Sequence, residues 1–324
     1  MLRRLLLFAS ALVALALVPA AVADGGGPSP GLMEGWTGAT GPGVPVRYVT
    51  MPTAGWTVLA VVSRANGRVI QWRPLRGTWG VPTVANDGTT GGLTRDGRKL
   101  VLASWTLPVN SSLRSSSTFK LVNTRTLGPG RTIMLPGDFS FDALSPNGKT
   151  LYLIEHVSTH DMLKYQVRAY DLGSFRLSPH VIADRRQAGW VMRGYPLKRV
   201  TSADGRFVYT LYQQQGGNPF VHALDATQGT AVCIGVPWKG NQNLLYRAHF
   251  RLDERSGSLT VAGQGQEVRI GTTDYQVSLP THGKGFPVAF AAGLGSAAAA
   301  LAALVLLARR RRLRNRPEPV GLPA

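Results

Sequence analysis

Three groups of residues have the types and spacing to do chemistry. Asp142, joined by Asp138 and Asp87, could form an acid/base set like that of a glycosidase, whose two carboxyl groups must stand about 5 to 10 Å apart. The other reading is that each aspartate braces a turn. Glu155, His156, His160 and Asp161 put four metal-ligand types into seven residues. On a helix the two histidines would share a face, but here they follow a strand and enter a loop, and the glutamate of His-Glu-x-x-His is missing. A polar hairpin loop therefore competes with a metal site. Arg199, Phe250 and Arg251 are expected on the repeats' inner strands, and the two arginines suit an anion better than a reaction.

Other motifs are weaker. Ser117-Thr-Phe-Lys120 matches Ser-x-x-Lys but falls in an expected strand and lacks companion motifs. Asn110-Ser-Ser112 fits a glycosylation sequon. Cys233, flanked by Val232 and Ile234, reads as a buried small hydrophobe, and a single cysteine excludes an intramolecular disulfide framework. No cofactor is expected.

The elements that must position these residues are set by repetition. Leu144-Ser-Pro-Asn-Gly-Lys-Thr-Leu-Tyr-Leu153 is a strand end, a tight Asn-Gly turn and an alternating apolar strand. Residues 93–102, 201–210 and 252–261 follow the same plan, and the turn glycines Gly97, Gly148, Gly205 and Gly257 are 51, 57 and 52 residues apart. Further strand-like runs follow each hairpin, as in Phe119 to Thr124, Tyr165 to Asp171 and Phe220 to Asp225. Four short antiparallel strands per repeat is the pattern of a propeller blade. Thr57–Val62, Val69–Leu75 and Trp79–Val84 supply three strands of a further repeat, for about five in all. A sandwich or incomplete propeller is the competing arrangement. Alignment on the turns places Gly91, Asp142, Arg199 and Phe250 at equivalent positions, which is no carboxylate ring.

These segments, with Ser145-Pro-Asn-Gly-Lys149 nearest, resemble the YVTN-type, lactonase-like and WD40-like β-propeller repeats over most of residues 46–280. The resemblance implies an all-β fold, a β-propeller of about five four-stranded blades. It is one of architecture, since no Trp-Asp dipeptide ends a repeat and fold does not fix function. Ring closure would bury otherwise unpaired edges, and Val44–Val49 is placed to pair near Tyr275–Leu279.

The termini supply an address. Residues 1–23 read as a signal peptide, with Arg3-Arg4 before an apolar run and Ala21-Val22-Ala23 at its end. A Gly/Pro-rich leader, expected to be flexible, occupies 24–45. Residues 286–308 form an uncharged apolar run which as a helix would cover about 35 Å, enough to span a bilayer. The basic tail, 309–324, opens with four arginines and marks the cytoplasmic side. The expectation is a single-pass cell-membrane protein with domain 46–280 outside. Leu279-Pro-Thr-His-Gly283 resembles a Gram-positive sorting signal but has His282 where that signal has threonine.

Of the formal charge of +19, +2 falls in the signal, +12 in residues 24–285 and +5 beyond. A basic outer domain favours anionic cell-wall polymer or lipid head groups as partners. Nucleic acid is not expected at an exported location. The reading for function is a non-catalytic binding or scaffold module at the cell surface, more an adaptor than an enzyme. A hydrolase or lactonase centred on Asp142 is the alternative, and a sensor working through a membrane protein partner is another. Trp36, Trp56, Trp79 and Trp190 are candidates for an aromatic binding rim.

Overall fold

The computed structural model describes residues 38–104, 113–161, 163–184, 186 and 192–280. The expected signal peptide, the first part of the leader, the apolar run 286–308, the tail and most of the sorting-like motif lie outside the described residues. Among the described residues, no helix is long and apolar enough to cross a membrane.

Five antiparallel sheets follow one another along the chain. The first holds β1 (Val46–Thr53), β2 (Trp56–Ser63) and β3 (Val69–Arg76). The second holds β4 (Trp79–Gly80), β5 (Lys99–Ser104), β6 (Ser116–Asn123) and β7 (Pro129–Pro136). The third runs β8 (Phe139–Leu144), β9 (Thr150–His156), β10 (Lys164–Asp171) and β11 (Arg176–Ile182), with β12 (Met192–Arg193) pairing the start of β10. The fourth is β13 (Tyr195–Thr201), β14 (Phe207–Gln213), β15 (Phe220–Asp225) and β16 (Thr230–Gly235). The fifth is β17 (His249–Asp253), β18 (Ser258–Gly263), β19 (Gln266–Gly271) and β20 (Val277–Ser278).

Each sheet packs face to face on the next. Leu59, Val61 and Leu75 meet Leu100, Leu102 and Val122 between the first and second sheets. Phe119 and Ile133 meet Phe139, Leu151 and Leu153 at the next interface, and Tyr152, Ile154 and Val167 meet Val208, Tyr212 and Leu224 at the third. Leu211 and Val221 meet Leu259, Val261 and Ile270 at the last. Strands flanked on both sides need apolar residues on both faces, and β5, β9 and β14 carry near-continuous buried runs for that reason. β6 and β10, nearer the outside, share one alternating burial pattern.

The repeat has a hydroxyl clamp at its joint. Ser117 Oγ donates to the Gly137 carbonyl at 2.9 Å and accepts from Phe139 N–H at 2.7 Å. Thr57 Oγ1 does the same with Gly77 and Trp79. Ser117 is thus a structural hydroxyl, and Lys120 instead reaches Thr132 and lies over the Trp79 ring. The clamp also sets the phase of the repeat: β1, β2 and β3 correspond to β5, β6 and β7. Trp79 therefore begins the second sheet, and does not extend the first as the hydrophobic pattern predicts.

The leader boundary also moves. Residues 38–45 form a fifth turn of the repeat: Ala39 bridges Tyr48, Thr40 Oγ1 donates to Val46 O as Thr94 does to Lys99 O, and Gly43 has a φ of 69°. That value matches 67°, 62°, 74° and 60° at Gly97, Gly148, Gly205 and Gly257, where the left-handed turn requires glycine. The expected clasp between Val44–Val49 and Tyr275–Leu279 does not form. β1 pairs with β2 and Ala39, and β20 pairs with β19.

Candidate functional site

The inner ends of the first four repeats converge on a cavity of about 230 Å³. Thr40, Thr90, Thr94, Ser145 and Thr201 line its wall, and Asp142 and Arg199 belong to it. A hairpin inserted into the inner strand of the second sheet crosses this centre. Val84 N–H donates to Thr89 O within it, and its tip pairs with β13 through Asn86 N–H to Pro196 O and Asp87 N–H to Leu197 O, both at 3.0 Å. Tyr195 adds a hydroxyl bond to Asn86.

Asp142 occupies a bulge in β8, between Phe141 and Ala143, and is 2% exposed. Its carboxylate is paired with the Arg199 guanidinium of the neighbouring sheet, whose side chain is only 6% exposed, and Arg199 also donates to the Asp142 carbonyl and to Thr210 Oγ1. The two residues singled out for opposite roles, acid and anion receptor, thus neutralise each other. The pairing engages Asp142 Oδ1, while Asp142 Oδ2 is buried without a hydrogen-bond partner. At the equivalent Gly91 a Cβ would lie 2.4 Å from the Phe141 ring, so no side chain fits there.

The other aspartates are held separately. Asp138 is buried against Arg114, which gives it a backbone N–H at 3.1 Å and guanidinium bonds at 2.8 and 2.5 Å. Four residues of extended strand separate Asp138 from Asp142, roughly 13 Å, wider than a glycosidase pair needs. Asp87 is exposed at the tip of the inserted hairpin and accepts from Thr89 N–H and Oγ1. Each therefore performs the turn- or strand-bracing role.

The metal-like run is also dispersed. Glu155 pairs with Arg168, Asp161 with Arg193, and His160 meets Thr159 through Nδ1, while His156 is buried at the end of β9. Hydrogen bonding from Arg193 lowers the Asp161 pKa. Among the described residues no group of three or more His, Cys, Asp or Glu could hold a metal ion. Phe250 and Arg251 line two open depressions, one on the fifth sheet and one against β13 that shares Thr201 and Ala203 with the central cavity, but neither residue lines the cavity that holds Arg199.

A buried cluster between the third and fourth sheets was not singled out by sequence. Tyr165 stacks on Tyr212 at 5.6 Å, Tyr212 on Phe220 at 4.9 Å, and His222 meets the Tyr212 edge. Cys233 Sγ lies 3.6 Å from His222 Nδ1. Burial lowers the His222 pKa to about 4 and raises the Cys233 thiol to about 12, so both are neutral near pH 7 and no thiolate is available. Alternation along β15 could have placed His222 opposite Cys233, its register partner.

Of the aromatic rim candidates, Trp79 is buried, with Nε1 donating to Arg76 O, and Trp56 is exposed. Trp36 and Trp190 lie outside the described residues. Trp72, which no sequence motif marks, is 63% exposed.

No protein-family model matches the chain, and no curated protein matches it. Among solved structures, TolB from Acinetobacter baumannii is similar at 13% identity and a TM-score of 0.41, over 75% of this chain and 53% of that one. This chain thus spans about half the length of that TolB. The Dos1 propeller is similar at 11% identity and a TM-score of 0.43, covering 76% and 58% of the two chains. The Swd1 β-propeller domain from Myceliophteria thermophila gives 14% and 0.42, covering 72% and 70%. Likenesses at this level carry no argument about function, and the architecture rests on the sheet pairings themselves.

Proposed function

We propose that the protein is an exported, membrane-tethered, non-catalytic binding or scaffold module whose working surface is the basic face of its first two sheets. One observation carries this reading, the distribution of charge. Residues 46–137 hold twelve lysines and arginines against two acids, Asp87 and Asp96, a net of +10. Residues 138–280 hold fifteen against twelve, a net of +3. Among the described residues no ion pair engages Arg47, Arg64, Arg68, Arg73 or Arg76 of the first sheet and its turn. Concentrated, unpaired positive charge attracts anionic surfaces over several ångströms and is screened by salt.

The centre of the molecule supports the non-catalytic side of the proposal, because Asp142 and Asp138 are committed to Arg199 and Arg114. The expected export signal and membrane span are the sequence's support for the location. The test is sedimentation of the full chain with isolated anionic cell-wall polymer and, separately, with anionic lipid vesicles, from about 0.05 M to about 0.5 M salt. Saturable binding to at least one of them, with an affinity that falls steadily with salt, is the expected result. Absence of binding to both at the lowest salt would overturn the proposal.

A further inference from the structure

The two faces of the first sheet differ in a way that charge alone does not explain. Residues paired across antiparallel strands point to one side. Tyr48, Leu59, Val61 and Leu75 fill one side and pack on the second sheet. The other side carries Met51, Trp56 and Trp72, which are 41%, 51% and 63% exposed, over a small cluster of Val49, Ala60 and Val62. The register fixes this arrangement, since Trp72 pairs with Ala60, Ala60 with Val49, and Trp56 with Arg76. Ile70, at the irregularity where β3 departs from β2, is 62% exposed at the outer edge. Arg68 and Arg76, both exposed, flank this strand, and no acid occurs anywhere from residue 35 to residue 86.

We infer that this far face and outer edge of the first sheet dock on an anionic lipid surface, with Trp72 and Ile70 in the interfacial region and the arginines on the head groups. The inference rests on the binding-module reading and names its partner. A soluble wall polymer would satisfy the arginines but gives no reason to expose tryptophan, isoleucine and methionine beside them. Tryptophan is favoured at the membrane interface, where one part of its ring system is apolar and its N–H is solvated, and nearby arginines add attraction to anionic lipid. A second copy docking through its fifth sheet, whose residues 249–278 hold three arginines against four acids, is the protein occupant that the test below separates from lipid. The expected membrane span at 286–308 would hold the chain at a bilayer.

The test uses the full chain in vesicles of phosphatidylcholine alone, or with about a third phosphatidylglycerol, with acyl-brominated lipid as the tryptophan quencher. Quenching should be stronger in the anionic vesicles, fall with salt, and drop markedly in Trp72→Phe. Arg68→Glu with Arg76→Glu should lower the vesicle-dependent quenching about tenfold at equal melting temperature. Equal quenching in both vesicle types, or no change in either variant, would overturn the inference. Shielding of Trp72 from iodide by added protein, without lipid, would identify a protein occupant and also overturn it. Retained polymer binding without lipid quenching would sink the lipid assignment alone, whereas loss of both would sink the binding reading as well.

Discussion

The first two sheets and the last three are built on the same repeat but use charge differently. In the last three, several arginines are held in ion pairs: Arg199 on Asp142 and Arg168 on Glu155, both largely buried, and Arg193 on Asp161 and Arg206 on Asp225, both part-exposed. In the first sheet the joint is a neutral hydroxyl clamp at Thr57, and the arginines stand on the surface without acidic partners. Charge that stabilises a fold is unavailable to a partner. The contrast therefore separates the part of the molecule braced by ion pairs, to which Arg114 of the second sheet also contributes through Asp138, from the first sheet, whose arginines are offered outward.

The largest expected effect breaks the Asp142–Arg199 pair. Arg199→Ala leaves a buried carboxylate uncompensated and should cost about 3–5 kcal/mol, read from urea denaturation. An Asp142→Leu/Arg199→Met double variant should recover much of that loss, since an apolar pair fills the space without desolvating charge. If Arg199→Ala were neutral, the inner strands would not depend on ion pairing and the contrast would fail.

Acid should act on the same region. His222, with a pKa of about 4, refuses a proton that the unfolded chain takes up below about 6.5. Unfolding is thus favoured as pH falls through that window, by up to about 3 kcal/mol, and the full stability is present above it. Asp184, held at about 2 chiefly by Arg186, adds a further loss as pH falls from about 4 to about 2. His222→Gln should flatten the upper slope in pH-dependent denaturation, and an unchanged slope would assign it to other groups.

Thr57→Val removes a buried donor and acceptor from the first sheet's joint. A cost of about 1–3 kcal/mol in thermal or urea melts is expected, with little pH dependence. Smallest of all, Arg68→Glu with Arg73→Glu should change stability by no more than about 0.5 kcal/mol, because both side chains are exposed and have no acidic partners. A large loss there would mean the surface charge is structural after all.

Much of this was legible beforehand, for physical reasons. Three turns are announced by Asp-Gly or Asn-Gly steps at Gly97, Gly148 and Gly205, and a fourth by Ser256-Gly257 at the same spacing, each needing left-handed backbone and each followed by an alternating strand. The fifth, Thr40 to Val46, was hidden by Pro42 and Pro45, which make a turn look like a linker. The second sheet's inner strand was hidden by the inserted hairpin that separates Trp79–Gly80 from Leu93. The Asp142–Arg199 pair joins residues 57 apart and so escapes local pattern reading. Alignment nevertheless put them at one level of successive repeats, where opposite charges face each other, and that was the signal to use. The exposure of Trp72 could not be seen, because a β-strand's alternation does not reveal which face lacks a neighbour.

The most direct measurement compares two matched charge reversals in the full chain: Arg64, Arg68, Arg73 and Arg76 to Glu, against Lys149, Arg176, Arg247 and Arg255 to Glu. Binding to anionic vesicles and isolated wall polymer would be followed across a salt series. The account predicts that the first set abolishes the salt-sensitive binding while the second, identical in net charge, leaves most of it. Equal losses from both sets would show that only total charge matters, and would contradict a working surface on the first two sheets.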